Sequence, residues 1–499
     1  MKILQVASEA VPFCKTGGLA DVVGALSQRL GLEGHDVCLF LPRYRCVEST
    51  MSAAGMARPI TITVGGQPVV VRLRYAQWKA VSVYFIDHPE SFDREGLYGG
   101  DGKDYPDNDR RFVTFCRAVL ESIKVLGFKP EVIHLHDWQA ALIAAYLRRL
   151  YREDPSLGQA STVLTIHNLA YQGVFPRESF SLTGFAESDF TAGLMEYYGN
   201  FGFLKTGLTH ADAITTVSPT YAREIQTAER GFGLEGILAS RASDLCGVLN
   251  GVDYEVWNPQ TDQHLAKRYS ASNVAQGKAA CKAELSRLCG FEDRPETPLI
   301  GIVSRLDRQK GLDIAAAALK SRLDRAKVVV QGVGDAELAG LLSKFAQDHP
   351  KSVFFRPEFD EPLVRKIYAG ADIFLMPSRF EPCGLGQMIA MRYGAVPVVS
   401  RTGGLADTVF EGDPPAADAF PKGAGDARPP ASTAPSANGF LAGPEDADDL
   451  GQAIDRALAA YAVPESWRAR VLAGMGCDCS WDRSASIYAD LYRRSRRLR

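Results

Sequence analysis

The chain has 499 residues, room for two or three domains at roughly 100–200 residues each. With 46% hydrophobic residues it can fill large cores, and its formal net charge of −3 gives no general surface for nucleic acid or a membrane. The opening run MKILQVASEAVPF is too short for a signal peptide, and no window reaches the roughly 18 apolar residues of a membrane span. Ten cysteines without a CxxC pair, Cys477 and Cys479 being the closest two, read as reduced thiols of a cytoplasmic protein.

In chain order, KILQVAS reads as a first strand, LADVVGALSQRL as the helix after it and DVCLFLP as a second strand. The stretch Ile60–Ile86 alternates like a hairpin that turns at Gly65-Gly66. NDRRFVTFCRAVLESIKVL has helical spacing. PEVIHLHD, STVLTIHN and ADAITTVS read as buried parallel strands, apolar on both faces. From Pro298 a second series follows: PLIGIVSR, AKVVVQGVG, SVFFRPE, ADIFLMPS and AVPVVSR as strands. Helical segments Leu312–Leu323, Ala336–Gln347, Glu361–Ala369 and Leu385–Tyr393 separate them. Such alternation predicts parallel βαβ units in two doubly wound domains, connected near Asn250–Asp262. The expected division is 1–250, 251–479 and a terminal helix 480–499. Glu411–Ala437, with six prolines, has a composition that cannot bury a core and reads as a mobile surface loop. The closing RRSRRLR reads as a solvated helix end or, more sharply, as a polyanion-binding tail.

Ligands of doubly wound domains bind outside the carboxyl ends of the strands, so loops after strands carry the candidates. The hexapeptide TGGLAD occurs twice, at Thr16–Asp21 and Thr402–Asp407, each time between a strand and a helix. In the first copy Lys15 precedes Gly17-Gly18, which reads equally as an anion-binding helix start or as a tight turn beside an exposed lysine. In HLHDW, His134 and His136 alternate onto one face, but no third metal ligand lies nearby. Asp137 at the strand end is the better candidate, for hydroxyl recognition. His167 in TIHNLAYQG ends another strand and is either structural or catalytic. Arg305 and Lys310 in VSRLDRQKGLD would meet a diphosphate or simply decorate a helix start. Glu381 in SRFEPCGLGQ would bond sugar hydroxyls or cap the following helix. GVGDAE at Gly332–Glu337 lacks the third glycine of a dinucleotide fingerprint, which disfavours a dehydrogenase.

Taken in order, KTGGLADVVGAL, HLHDW, TIHNLAYQG, VSPTYAREI, GVLNGVD, VSRLDRQKGLD, PSRFEPCGLGQ and RTGGLADTV resemble the bacterial glycogen synthases and the related plant starch synthases almost end to end. The resemblance implies an α/β fold of the GT-B type: two Rossmann-like domains facing a central cleft, with the C-terminal helix crossing back to the N-terminal domain. The first domain is then the acceptor side and the second the nucleotide-sugar side. It implies a retaining glucosyltransferase that moves glucose from ADP-glucose to the non-reducing end of an α-1,4-glucan such as glycogen, with no metal and no cofactor. By motif, Lys15 and Gly18 face the donor diphosphate and glucose, and Asp21 the sugar or acceptor. Asp137 and Asn250 line the glucosyl pocket, His167 lies near the 6-hydroxyl, and Glu381 holds the reacting sugar. Arg305 and Lys310 stabilise the leaving diphosphate. Phe359 lies against the base, and Tyr98 places nucleotide or sugar. The amides of Cys383, Gly384, Leu385 and Gly386 meet the distal phosphate. Gly386 stands where the family commonly has Thr, and Ile389 where many retaining GT-B enzymes have a second Glu. With no obvious carboxylate nucleophile, a front-face route is preferred, in which the leaving phosphate helps deprotonate the acceptor. The alternatives are a UDP-glucose-dependent transferase and a non-catalytic glucan-binding protein of the same fold.

Overall fold

The computed structural model describes residues 1–50, 58–100, 103–292, 294–412 and 436–496. Most of the proline-rich stretch Glu411–Ala437 lies outside the described residues, as do the last three residues of RRSRRLR.

Two sheets organise the chain. The first has nine strands, in the order Leu245–Gly247, Ala213–Thr216, Ser161–Ile166, Val132–His136, Lys2–Val6, Asp36–Pro42, Val81–Asp87, Gln67–Trp78 and Arg58–Val64. The seven strands from Leu245–Gly247 to Val81–Asp87 are parallel. The other two extend the sheet as an antiparallel hairpin that turns at Gly65-Gly66, as the alternation predicts. Val132–His136 and Ser161–Ile166 are buried along their whole length, since helices cover both faces of a parallel sheet.

The second sheet has six parallel strands, in the order Val353–Arg356, Lys327–Gln331, Leu299–Val303, Ile373–Met376, Val396–Ser400 and Phe440–Ala442. The helix expected over Leu312–Leu323 stops earlier, at Lys320. Not foreseen at all is a small antiparallel sheet of Val174–Phe175, Asn200–Gly202 and Glu196–Tyr197.

The final helix, Trp481–Ser495, returns to the first sheet. Trp481, Ala485, Tyr488, Ala489, Leu491 and Tyr492 are buried along one stripe. The Tyr492 hydroxyl meets Gln5 and His134, Ser495 meets Ser161, and Arg496 pairs with Glu131. The helix therefore completes the core of the first sheet, although the second sheet precedes it in sequence.

The halves also meet through the second TGGLAD. Glu224 accepts from the Thr402 hydroxyl and the Gly403 amide, while Asp407 accepts from the amide and hydroxyl of Thr220. Each carboxylate caps the start of a helix in the other half, Gly403–Thr408 and Pro219–Glu224. Nearby, the Ser218 hydroxyl donates to the Pro382 carbonyl at 2.6 Å.

Candidate active site

The two copies of TGGLAD need their glycines for different reasons. At Gly17 and Gly18 no described atom lies within 4 Å of where a Cβ would stand, so this turn faces open space. At Gly403, with φ +43°, a Cβ would fall 1.9 Å from the Glu381 carbonyl oxygen, and at Gly404 2.2 Å from that of Cys383. The second copy thus lets the backbone that carries Glu381 come down onto it.

Around the first turn a buried carboxylate organises the loop. Glu9 accepts from the Thr16 amide and hydroxyl, the Gly17 amide and the Tyr98 hydroxyl. Ser8 also meets the Tyr98 hydroxyl, at 2.7 Å. Lys15 is exposed and pairs with Asp21 at 2.8 Å. Lys15, Gly18, Asp21 and Tyr98 are therefore one neighbourhood with Glu9 at its centre. Sequence reasoning passed over Glu9; its signal was an acid just ahead of a turn with free amides.

Asp137 and His167 form a second neighbourhood. Asp137 opens the helix Asp137–Arg149 with a left-handed backbone, φ +53°, a strained setting typical of functional positions. Its carboxyl accepts from the His167 amide at 2.7 Å. Burial pushes the carboxyl up to about 8 from its ordinary value near 3.8, against the pull of that amide and with help from Glu9. Burial likewise drives His167 down to about 3 and His136 well below the usual histidine range. At neutral pH the pair is thus a protonated acid and a neutral imidazole.

The proton on His167 can be placed. Gln5 Nε2 donates to the Tyr492 hydroxyl, which leaves Gln5 Oε1 to accept from His136 Nε2 at 2.8 Å. Neutral His136 is then an acceptor at Nδ1, and His167 Nε2 donates to it at 2.9 Å. His167 Nδ1 is left as a lone-pair acceptor. The Tyr492 hydroxyl donates onward to His134 Nδ1 at 2.7 Å, and His134 Nε2 donates to Thr165. His134 and His136 therefore spend their nitrogens on orientation. Gln5 was missed, though a lone polar residue inside the apolar strand KILQV was visible.

The protonated state of Asp137 predicts a pH effect. Between pH 4 and 8 the folded chain holds a proton here that the unfolded chain has lost. The stability from this group is whole below about pH 4 and disappears as pH rises through 8. Urea titrations from pH 5 to 8 should show wild type losing up to about 1.4 kcal/mol per pH unit relative to Asp137→Asn. Parallel pH profiles would show that Asp137 is ionised in the folded protein.

The third neighbourhood lies in the second half. Asp307 caps a short turn, Arg308–Lys310, and Gly311 then lets the chain pass the Pro377 carbonyl. Lys310 Nζ meets Glu381 Oε2 at 2.6 Å, and the Ser378 hydroxyl donates to the same oxygen at 3.0 Å. The Glu381 side chain is thus tied to Lys310 and Ser378, and it does not cap the helix Gly386–Arg392. Gln309 laces the loops together: its side chain donates to the Phe380 carbonyl, and its carbonyl accepts from the Arg379 amide. The main chain of Asn250 bonds the Cys383 thiol, and Asn250 Oδ1 is buried with no partner among the described residues.

Gly384 has φ +73°, Leu385 precedes the helix and Gly386 opens it. A Cβ at Gly386 would lie 3.2 Å from both Met376 Sδ and Phe374 Cε1, so the common Thr would crowd this core. Arg305 is exposed in the loop after Leu299–Val303. Phe359 is 76% exposed, and nothing among the described residues brings it to the others.

The second and third neighbourhoods meet across the halves. Asn168, next to His167, donates to Gln309 Oε1 at 3.5 Å, one residue from Lys310. The Tyr221 hydroxyl accepts from the Leu169 amide at 3.0 Å.

Residues 2–240 match the family model described as starch synthase catalytic domain, and residues 297–460 match glycosyl transferases group 1. Glycogen synthase of Syntrophotalea carbinolica is 45% identical over 497 residues, 99% of each chain. That of Elusimicrobium minutum is 43% identical over 496 residues, again 99% of each. Among solved structures, the catalytic domain of starch synthase IV from Arabidopsis thaliana, bound to ADP and acarbose, superposes with a TM-score of 0.87. It is 32% identical, and the match covers 99% of each chain. Sucrose-phosphate synthase from Thermosynechococcus elongatus shares the fold, with a TM-score of 0.60 at 17% identity over 99% of this chain and 98% of that one. With relatives of this identity along its whole length, the chain belongs to the glycogen synthase family and is a glucosyltransferase of glycogen synthesis.

Proposed function

We propose that the protein transfers glucose from ADP-glucose to the non-reducing end of an α-1,4-glucan, with retention at the anomeric carbon, in the cytoplasm. Residues 1–250 form the acceptor side, residues 251–479 the nucleotide-sugar side, and 480–499 the returning helix. The observation that supports the reading is the Asn168–Gln309 hydrogen bond, which ties the loop after His167 to the loop of Lys310. The ADP and acarbose bound by the starch synthase IV relative support the choice of donor and acceptor.

In this reading Arg305 and Lys310 carry the charge that grows on the departing diphosphate, together with the amides of Cys383–Gly386. Lys15 and Gly18 meet the same diphosphate from the first half. Glu381 holds sugar hydroxyls and the positive charge that develops on the ring. Asn250 Oδ1 and Asp137 bond glucose hydroxyls, and His167 Nδ1 accepts from the 6-hydroxyl. Asp21 and Tyr98 border the acceptor, and Phe359 closes on the adenine. A protonated Asp137 is a poor nucleophile, and Glu381 is engaged with Lys310. Retention then follows from attack on the face the diphosphate leaves, with a phosphate oxygen taking the acceptor proton.

The test is incorporation of labelled glucose into glycogen from ADP-glucose and, separately, from UDP-glucose. Transfer from ADP-glucose is expected to dominate, with the new linkage α by NMR. No transfer from either donor would overturn the reading. An isolated covalent glucosyl-enzyme would overturn the front-face step.

A further inference from the structure

Two turns outside the transfer site break the same rule in the same way. Tyr198-Gly199 joins the strands Glu196–Tyr197 and Asn200–Gly202, with φ +48° and +82°. Positive φ at both central residues defines a type I′ hairpin, whose first position favours Asn, Asp or Gly. Phe232-Gly233 repeats the pattern, at +50° and +83°. In both turns an aromatic residue occupies the position where it is least comfortable. Both rings are nevertheless exposed, Tyr198 by 77% and Phe232 by 41%. The strain gains no core packing, and such residues concentrate where a surface is used.

The two turns are held together and held to the site. The Tyr197 hydroxyl and Gln172 Nε2 both donate to the Phe232 carbonyl, at 2.7 and 3.0 Å. Gln172 lies in the loop that begins at His167, and Tyr171 beside it is 52% exposed. On the other half, the Phe232 ring packs edge-on against Phe380 at 5.8 Å, and Phe380 directly precedes Glu381. Three exposed rings, Tyr171, Tyr198 and Phe232, thus stand on loops tied to the transfer site, among charged groups: Glu196 and Glu235 brace the two turns, and Arg230 lies over the Phe380 ring.

We infer that Tyr198 and Phe232 form a shelf for the acceptor glucan, receiving the glucose units that follow the one being extended toward the reducing end. This rests on the proposed transfer reaction. An α-linked glucose ring has an apolar C–H face and a rim of hydroxyls. It lies flat on an aromatic ring and bonds sideways to groups such as Gln172. Each unit added to a short acceptor gains contact only while the shelf has a ring to offer.

The test uses Tyr198→Asn and Phe232→Asn in the full-length protein. Asparagine suits a positive φ, so both variants should fold, the relief of backbone strain offsetting the ring contacts each one loses. With maltose, maltotetraose and maltoheptaose as acceptors, the wild-type KM should fall as the acceptor lengthens. In each variant that fall should flatten, with KM for maltoheptaose about five- to tenfold higher and maltose affected less. Wild-type length dependence in both variants would overturn the shelf. Calorimetry of maltoheptaose binding reads the same surface without turnover and should weaken about five- to tenfold in each variant. Unchanged binding would overturn the shelf even if the transfer reaction stands. Weakened binding in a protein that transfers no glucose would keep the shelf while the reaction reading falls.

Discussion

Glu381→Gln is expected to lower turnover by about 100- to 1000-fold, the usual loss when a group that stabilises developing charge is removed from a closed site. The amide keeps the size of the carboxylate and can still accept from Lys310 and Ser378, so the loops 307–311 and 377–381 should stay in place. The loss should therefore appear in kcat, with donor KM changing far less. Alanine is a poorer test. It strands the Lys310 ammonium, which is largely buried, and removing one partner of such a pair costs about 3–5 kcal/mol. Activity of Glu381→Gln within a few-fold of wild type would remove Glu381 from the reaction.

Truncation before Trp481 is expected to leave the first half unable to fold. Four large side chains of the final helix, Trp481, Tyr488, Leu491 and Tyr492, are buried, Tyr488 and Tyr492 against His134 of the first sheet. At about 1.5–3 kcal/mol each they contribute about 6–12 kcal/mol, comparable to the whole stability of a typical domain. The truncated chain should lose its cooperative thermal transition and be cleaved within the first 250 residues by a brief protease pulse. A native-like melting curve would show that the helix is an accessory. Tyr492→Phe separates shape from chemistry: it keeps the ring and deprives Gln5 Nε2 and His134 Nδ1 of a partner. The stability cost is about 1–3 kcal/mol. It also frees Gln5 to rotate, so the proton on His167 is no longer fixed.

The sequence discloses the sheets because each buried strand is a short apolar run, and the strands of both series stand where VIHLH, STVLTI, LIGIV or VPVVS place them. It discloses the loops that hold the candidate residues because fold topology puts ligands after strands. Partnership is what it conceals. Lys310 and Glu381 lie 71 residues apart, and neither sequence context names the other. The chain from Tyr492 through Gln5 and His136 to His167 spans almost the whole protein. Its histidines stand out at strand ends, but their connection to Tyr492 is marked only by one glutamine in an apolar strand. The small sheet that carries Tyr198 escaped because its strands are two or three residues long, too short for periodicity to register. Phe359 stands apart from the other candidate residues because its ring sits on an exposed loop rather than in packed surroundings.

The carboxylate exchange at the second TGGLAD has a mechanical meaning. If the halves part there, two helices lose their N-terminal partners in the same event, at about 1 kcal/mol or more for each. Rotation that keeps Glu224 on Thr402 and Asp407 on Thr220 escapes that cost. Relative movement of the halves is therefore cheapest where it leaves these four hydrogen bonds in place. The backbone of Glu381 rests on Gly403, and that of Cys383 on Gly404, so the loop that carries Glu381 is packed directly on this seam.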